Sequence, residues 1–397
     1  MLGKGKEQVQ SGRFVNESES EIRPRPWTRG DAAWVLQLFA SSRLLLVALI
    51  VFSRQIIERG PHVVVSTQNE HGGTLLDVLT QWDGNWYRLI AERGYAPPMP
   101  GVAAAFFPVY PLLVRAAAFI VRDVQVACLL VSNGCLIASA LLLLRLLRLD
   151  YDEVVSRRVL IFLMFNPVSF FLSAAYTEST FLLLSVGALL AARQNKWGRA
   201  GLCGGFLSAT RAPGLLIGLP LLAEHILQWR ARGDNWRGFF RPQLLWLAVI
   251  PAGLALWMLC CYFQRGDFLM PMHALDAGWK KNLTLPWTTF LWPRNFAPSH
   301  ILLYQTMTGS AAILIAAGFF LRLRATYLVY AVVSLIFYLS WGSLDGLPRY
   351  LSIVFPIHIV LALLSCRWKW LYEPLLAFSI GLLALCTVLF ANAYQMT

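Results

Sequence analysis

Charge is scarce in this sequence. Only 14% of its 397 residues are Asp, Glu, Lys or Arg, against about 25% in an average soluble domain. That deficit excludes a soluble enzyme and a disordered protein. Cysteine patterning is also missing. The seven cysteines (128, 135, 203, 260, 261, 366 and 386) lie in or beside apolar runs and form no Cys-x-x-Cys pair, which excludes a secreted disulfide scaffold and a cysteine metal or redox site. No His-x-x-x-His, Asp-x-Asp or P-loop pattern occurs, which argues against metal-dependent nucleotide-sugar chemistry and ATP use. No metal and no cofactor are expected. The N-terminus lacks the short basic start of a signal peptide. Residues 1–33 read instead as a disordered, basic, cytoplasmic tail.

What the chain has in abundance is apolar sequence. Hydrophobic residues make up 57% of it, and runs of about 20 such residues are long enough to cross a bilayer as helices. The reading is an all-α polytopic membrane protein with about 11 crossings, at 34–57, 124–145, 158–176, 177–194, 199–211, 213–230, 243–263, 301–321, 325–341, 349–366 and 372–391. Residues 34–397 form one transmembrane domain. The 199–211 piece is short and contains Gly201, Gly204 and Gly205, so it is expected to be a half-helix or to pack very closely. Residues 106–121 begin with Pro108 and Pro111 and place Arg115 and Arg122 on one face, as on a juxtamembrane helix.

Net charge is +13, and six basic clusters (4–29, 145–158, 193–199, 230–241, 322–324 and 367–369) hold 21 of the 34 Lys and Arg residues. Positive-inside bias explains them more simply than nucleic acid does, so no nucleic-acid partner is expected. With 106–121 lying flat or re-entrant, all six fall on the cytoplasmic side. The outer face then collects two long loops, 58–123 and 264–300, together with short segments near 176–179, 210–213 and 342–350.

Four outer segments carry candidate chemistry. In Trp82-Asp83-Gly84-Asn85-Trp86-Tyr87, helical spacing puts Asp83 on one face with Trp86 and Tyr87. A partly desolvated carboxylate there suits a general base; the competing reading is a capping box, Thr80-x-x-Asp83, that merely ties off a helix. Glu178 is the only acid between Val154 and Ala223 and sits where two apolar helices meet, though it would equally complement a helix dipole behind Thr177. Arg211 is the sole charge between Ala200 and Ala223, followed by Pro213 and Gly214; its fork fits a phosphate, while snorkelling is the alternative. Asp345-Gly346-Leu347-Pro348-Arg349-Tyr350 puts another Arg at a helix start, where an anion is favoured, or forms a surface Asp345–Arg349 ion pair. In the second long loop, His273 and Asp276 are three apart and would share a helical face. Asn282-Leu283-Thr284 fits an N-glycosylation sequon.

Trp82-Asp83-Gly84-x-Trp86-Tyr87-x-x-Ile90-Ala91-x-x-Gly94-Tyr95, then Ala105-Phe106-Phe107-Pro108-x-Tyr110-Pro111, resembles the PIG-V family, the GPI mannosyltransferase II-like members of the GT-C glycosyltransferases. Asn166-Pro167, Tyr176-Thr177-Glu178-Ser179 and Thr210-Arg211-Ala212-Pro213-Gly214 continue the match in order. The resemblance implies a GT-C fold and an inverting enzyme that moves mannose, or a related hexose, from a polyprenyl- or dolichyl-phosphate carrier to a lipid-linked or glycan acceptor on the outer or luminal face. It implies that Asp83 deprotonates the acceptor hydroxyl and that Arg211 and Arg349, with Tyr350, hold the carrier phosphate. Glu178 would orient substrate hydroxyls, with Trp82, Trp86, Tyr87, Tyr176, His273 and Asp276 as further substrate contacts. The chain is compact beside the eukaryotic members, so a prokaryotic relative in the plasma membrane, with an acceptor other than a GPI precursor, is one expectation; a eukaryotic one would sit in the endoplasmic reticulum. The rival readings are a multi-helix transporter or lipid flippase and a non-catalytic assembly subunit.

Overall fold

The computed structural model describes residues 28–58, 74–280, 283–293, 298–394 and 396. Most of the 1–33 tail, part of the first long loop and the sequon at Asn282 lie outside them. Seventeen α-helices and short 3-10 turns make up the described residues, with no strand among them. In chain order the helices are α1 (Arg29–Ile56), α2 (Leu75–Leu79), α3 (Asp83–Arg93), α4 (Val109–Val121), α5 (Val124–Leu147), α6 (Glu153–Met164), α7 (Glu178–Arg193), α8 (Trp197–Ser208), α9 (Gly218–Ala231), α10 (Val249–Arg265), α11 (Met270–Trp279), α12 (Pro286–Leu291), α13 (Pro298–Phe320), α14 (Ala325–Leu339), α15 (Leu347–Ser352), α16 (Pro356–Arg367) and α17 (Tyr372–Ala391).

Five segments are long and apolar enough to cross a membrane: Arg29–Ile56, Val124–Leu147, Pro242–Arg265, Ile301–Phe320 and Lys369–Ala391. They coincide with five of the expected crossings. The other six expected crossings fall on shorter or interrupted helices. The 158–176 segment is not one helix, because α6 stops at Met164 and the chain turns through Ser169–Leu172 before α7 begins. The 349–366 segment breaks between α15 and α16, with Pro356 at the restart. Helix α4 is a 13-residue helix that buries Tyr110, Pro111 and Val114 and exposes Leu112, Phe119 and Ile120. Its exposed side is apolar.

An uninterrupted helix satisfies its own carbonyls in an apolar medium; a broken one does not. At the α6 break, Arg43 of α1 supplies what is missing. Its guanidinium donates to the carbonyls of Met164 and Ser169 at 2.9 Å each and to the hydroxyls of Ser169 and Ser173 at 3.2 and 3.0 Å. The break therefore has a fixed shape, and it delivers Tyr176 and Glu178 to one place. Ala175 N–H donates to the Leu79 carbonyl at 2.8 Å, which ties this segment to the start of α3.

Helices α5, α7, α8 and α10 pack in succession. The glycines of α8 allow backbone-to-backbone approach: a Cβ on Gly253 of α10 would lie 1.9 Å from the Gly205 carbonyl oxygen, and one on Gly201 would lie 2.3 Å from the Trp246 carbonyl oxygen. The close packing expected of 199–211 is present. Elsewhere, a closed ionic cluster joins α7, α9 and α14: Arg193 to Asp150 at 2.5 Å, Arg324 to Glu224 at 2.8 Å, and Tyr327 to Asp150 at 2.6 Å.

Candidate active site

A cavity of about 790 Å³, counted to its open mouth, is framed by α3, the 105–107 segment, the 211–213 turn, α11 and the 337–350 segment. Asp83, Arg211, Arg349 and Tyr350 all line it. These residues are 128 and 138 positions apart along the chain, so the break at α6 and the turn after α8 are what bring them together.

The charged groups form one chain. Arg349 Nη1 donates to Asp83 Oδ2 at 3.0 Å, and its Nε lies 3.1 Å from Glu178 Oε1. Arg211 Nη1 donates to that same Glu178 oxygen at 2.9 Å. Glu178 is 1% exposed, and its Oε2 has no hydrogen-bond partner among the described residues. Glu178 thus sits beneath the cavity as the counter-charge that holds two arginines side by side. Glu178 was expected to orient substrate hydroxyls; it is not among the residues that line the cavity. Thr177 makes no side-chain cap for α7, so capping is not what fixes this segment.

Aromatic rings complete the arrangement. The Arg211 guanidinium lies 4.0 Å over the Tyr350 ring and that of Arg349 lies 5.0 Å over Tyr176, a geometry that stabilises a desolvated cation. Tyr350 also accepts from Arg349 Nη2 at 2.9 Å and stacks on Tyr338 at 5.0 Å. Gly346, at φ +70°, makes the turn before α15, and a Cβ there would meet the Tyr350 ring at 2.9 Å.

The capping-box alternative for Asp83 is overturned. Thr80 Oγ1 donates back to the Leu76 carbonyl at 2.8 Å, while α3 starts after Trp82 without any side-chain cap. The capping box belongs to Thr74 and Asp77 at α2. Asp83 is therefore left with its carboxylate on Arg349, 20% exposed, at the cavity surface.

Of the aromatic contacts expected around it, Tyr87 lines the cavity. Burial pushes its hydroxyl up from the ordinary value, so it stays neutral. Trp82, Trp86 and Tyr176 do not line the cavity and form its backing. Trp86 stacks on Phe106 at 5.7 Å, and the buried Tyr176 donates to the Gln81 carbonyl at 3.1 Å. Trp82 sits at φ +57°, outside the usual range for a side-chain-bearing residue, and packs against the cluster containing Tyr176. Gly84 permits this approach, since a Cβ there would lie 3.3 Å from Ala175.

His273 and Asp276, expected as substrate contacts, stand apart from the cavity. Both are exposed and neither lines the cavity. His273 Nδ1 pairs with Asp267 at 2.8 Å instead. Leu275 and Trp279, one helical turn apart, are the residues that α11 turns toward the cavity. Phe106, Trp341 and Ser343 also line the cavity without having been proposed as site residues, and so does Asp345, which had been read only as an ion-pair partner of Arg349. The Asp345–Gly346 turn beside Arg349 was the available signal. No group of three or more metal-ligating side chains occurs among the described residues.

The architecture has counterparts of known structure. It superimposes on ArnT from Cupriavidus metallidurans bound to undecaprenyl phosphate with a TM-score of 0.52 and 11% identity, over 92% of this chain and 77% of that one. For ArnT in the apo state the TM-score is 0.51 at 13% identity, with the same coverage. The helical fold is thus shared with ArnT. Residues 50–204 match the family Mannosyltransferase (PIG-V). The chain is also 34% identical over 170 residues to GPI mannosyltransferase 2 of Drosophila pseudoobscura pseudoobscura, a match spanning 38% of this chain and 37% of that protein. This stretch, which carries Asp83 and Glu178, is where the chain is similar to the PIG-V family, and the chain spans well under half the length of the mannosyltransferase it matches.

Proposed function

We propose that the protein is an inverting glycosyltransferase that moves mannose, or a closely related hexose, from a polyprenyl-phosphate carrier to an acceptor hydroxyl at the extracytoplasmic side of its membrane. The observation that carries this reading is the convergence of Asp83, Arg211 and Arg349 on one aromatic-walled cavity. Two guanidinium forks held by Glu178 suit a phosphate, because Arg presents paired donors in a plane and stays charged. The donor phosphate competes with Asp83 for Arg349, and the carboxylate released from that pair faces the acceptor. The acceptor oxygen attacks the anomeric carbon from the face opposite the phosphate. Its proton passes to Asp83. The bond from the anomeric carbon to the phosphate oxygen breaks, and its electron pair leaves on the carrier phosphate, stabilised by the arginines. The ArnT structure bound to undecaprenyl phosphate supports a lipid-phosphate donor as the kind of molecule this fold accommodates.

The test is incubation of purified protein with radiolabelled polyprenyl-phosphate mannose and a mixed lipid acceptor pool, followed by product isolation and assignment of its anomeric configuration. The expected product has a new glycosidic bond of inverted configuration. Translocation of the carrier without any new glycosidic bond would instead support the transporter reading. A product of retained configuration would refute attack by an Asp83-activated hydroxyl.

A further inference from the structure

With Glu178 locked beneath the cavity by two arginines, a different group must read the hydroxyls of the sugar. Asp345 is placed to do it. It lines the same cavity as Asp83, Arg211 and Arg349, in the turn that leads into α15. Its position is fixed locally. Ser343 Oγ donates to Asp345 Oδ2 at 3.0 Å and accepts from the Asp345 backbone N–H at 3.0 Å. Between them Leu344, 0% exposed, anchors the turn in the core. Beyond them Gly346 takes a conformation that residues with side chains rarely adopt.

The surroundings match one ligand chemistry. Trp279, Trp341, Tyr338 and Phe106 wall the cavity. Aromatic faces take the C–H faces of a pyranose ring, and an ionised carboxylate, whose oxygens each have more than one lone pair and only accept hydrogen bonds, suits the hydroxyls at its edge. A phosphate or an acyl chain would gain nothing from a second carboxylate lining the cavity, whereas a hydroxyl-bearing ring would.

Resting on the glycosyltransferase reading of this cavity, we propose that Asp345 is a specificity-determining residue that accepts hydrogen bonds from adjacent hydroxyls of the hexose being transferred, with Ser343 as its positioning residue. A site built to bond a hydroxyl rejects an analogue lacking it far more strongly than an apolar pocket rejects an added group.

The experiment compares kcat/KM for polyprenyl-phosphate mannose and for its 2-, 3-, 4- and 6-deoxy analogues, in the parent, Asp345→Asn and Ser343→Ala proteins. The parent is expected to reject at least one deoxy analogue by about 100-fold. Asp345→Asn is expected to lose about 10- to 100-fold on the mannose donor and little on that analogue, so that discrimination collapses to within about 5-fold. Ser343→Ala is expected to give a partial collapse, and it keeps the question answerable if Asp345→Asn folds poorly. Because the readout is a ratio of substrates within one protein, a general loss of folded enzyme cancels. Equal losses on every donor, with discrimination unchanged in both variants, would overturn the proposal, as would a parent indifferent to every deoxy analogue. A parent that transfers none of the sugars would overturn the underlying reading along with this one.

Discussion

Arg349 meets three groups at once: Asp83 through one nitrogen, Tyr350 through another, and Glu178 within 3.1 Å of its Nε, all while 5% exposed. A lysine keeps the charge but has one point of donation at the end of a flexible stem. Arg349→Lys is therefore expected to raise the KM for the polyprenyl-phosphate donor by about tenfold or more, with the acceptor KM nearly unchanged, in steady-state kinetics. Glu178 poses the opposite problem. Replacing it with Gln leaves Arg211 and Arg349 facing each other in a low-dielectric setting without their shared counter-charge. Removing one partner of such a buried pair costs about 3–5 kcal/mol. Glu178→Gln should accordingly lower the thermal midpoint in detergent, and Asp83→Asn, which is partly exposed, should lower it much less. Equal midpoints for parent and Glu178→Gln would contradict the role of Glu178 as the link between the arginines.

At the scale of elements, the break between α6 and α7 decides the site. Arg43 holds it through four donated bonds to residues 164–173. Arg43→Met would remove all four bonds, leaving the Met164 carbonyl only its bond from Ser169 Oγ, at about 1–3 kcal/mol for each buried group left unsatisfied. The expected outcome is a large fall in thermal midpoint, together with new protease cleavage at 165–175 in detergent; an unchanged cleavage pattern would contradict the account. The α8–α10 contact gives a second element-scale expectation. Gly253→Leu places side-chain atoms where the Gly205 carbonyl already lies, so the helices must separate and the fold should lose several kcal/mol by overpacking. The sequence made the chemistry of these elements easier to read than their shapes. A lone acid or Arg in a long apolar run stands out because burying a charge is costly, and on that basis Glu178 and Arg211 were recognisable, while Arg349 was picked out by its place at a helix start. The break in 158–176 was not, because its residues stay apolar through the turn and the group that stabilises it, Arg43, lies some 120 positions away. For His273 and Asp276 the spacing showed a shared helix but not the local pairing, because the partner of His273 is Asp267, in the turn that precedes α11. Aromatic cavity walls carried little signal in a chain that is 13% aromatic.

For the whole molecule, the claim with the widest reach is orientation. The candidate cavity opens near α3 and α11, while the basic clusters lie in 145–158, 193–199, 230–241 and 322–324. In an otherwise cysteine-free background, Glu92→Cys and Ala277→Cys are expected to react with a membrane-impermeant maleimide added to intact cells or vesicles of native orientation. Glu153→Cys and Asp234→Cys should react only after permeabilisation. The reverse pattern would place the cavity on the cytoplasmic side and end the proposed function as stated.

Asp83 as the base is the centre of the account, and it is tested most directly by single-turnover transfer from prebound, radiolabelled polyprenyl-phosphate mannose, with donor binding measured on the same samples. Asp83→Asn should bind the donor at least as well as the parent, because Arg349 no longer shares its charge with a carboxylate. It should transfer the sugar about 1,000-fold more slowly, in line with loss of general-base assistance. Transfer at close to the parent rate, with donor binding intact, would contradict the account.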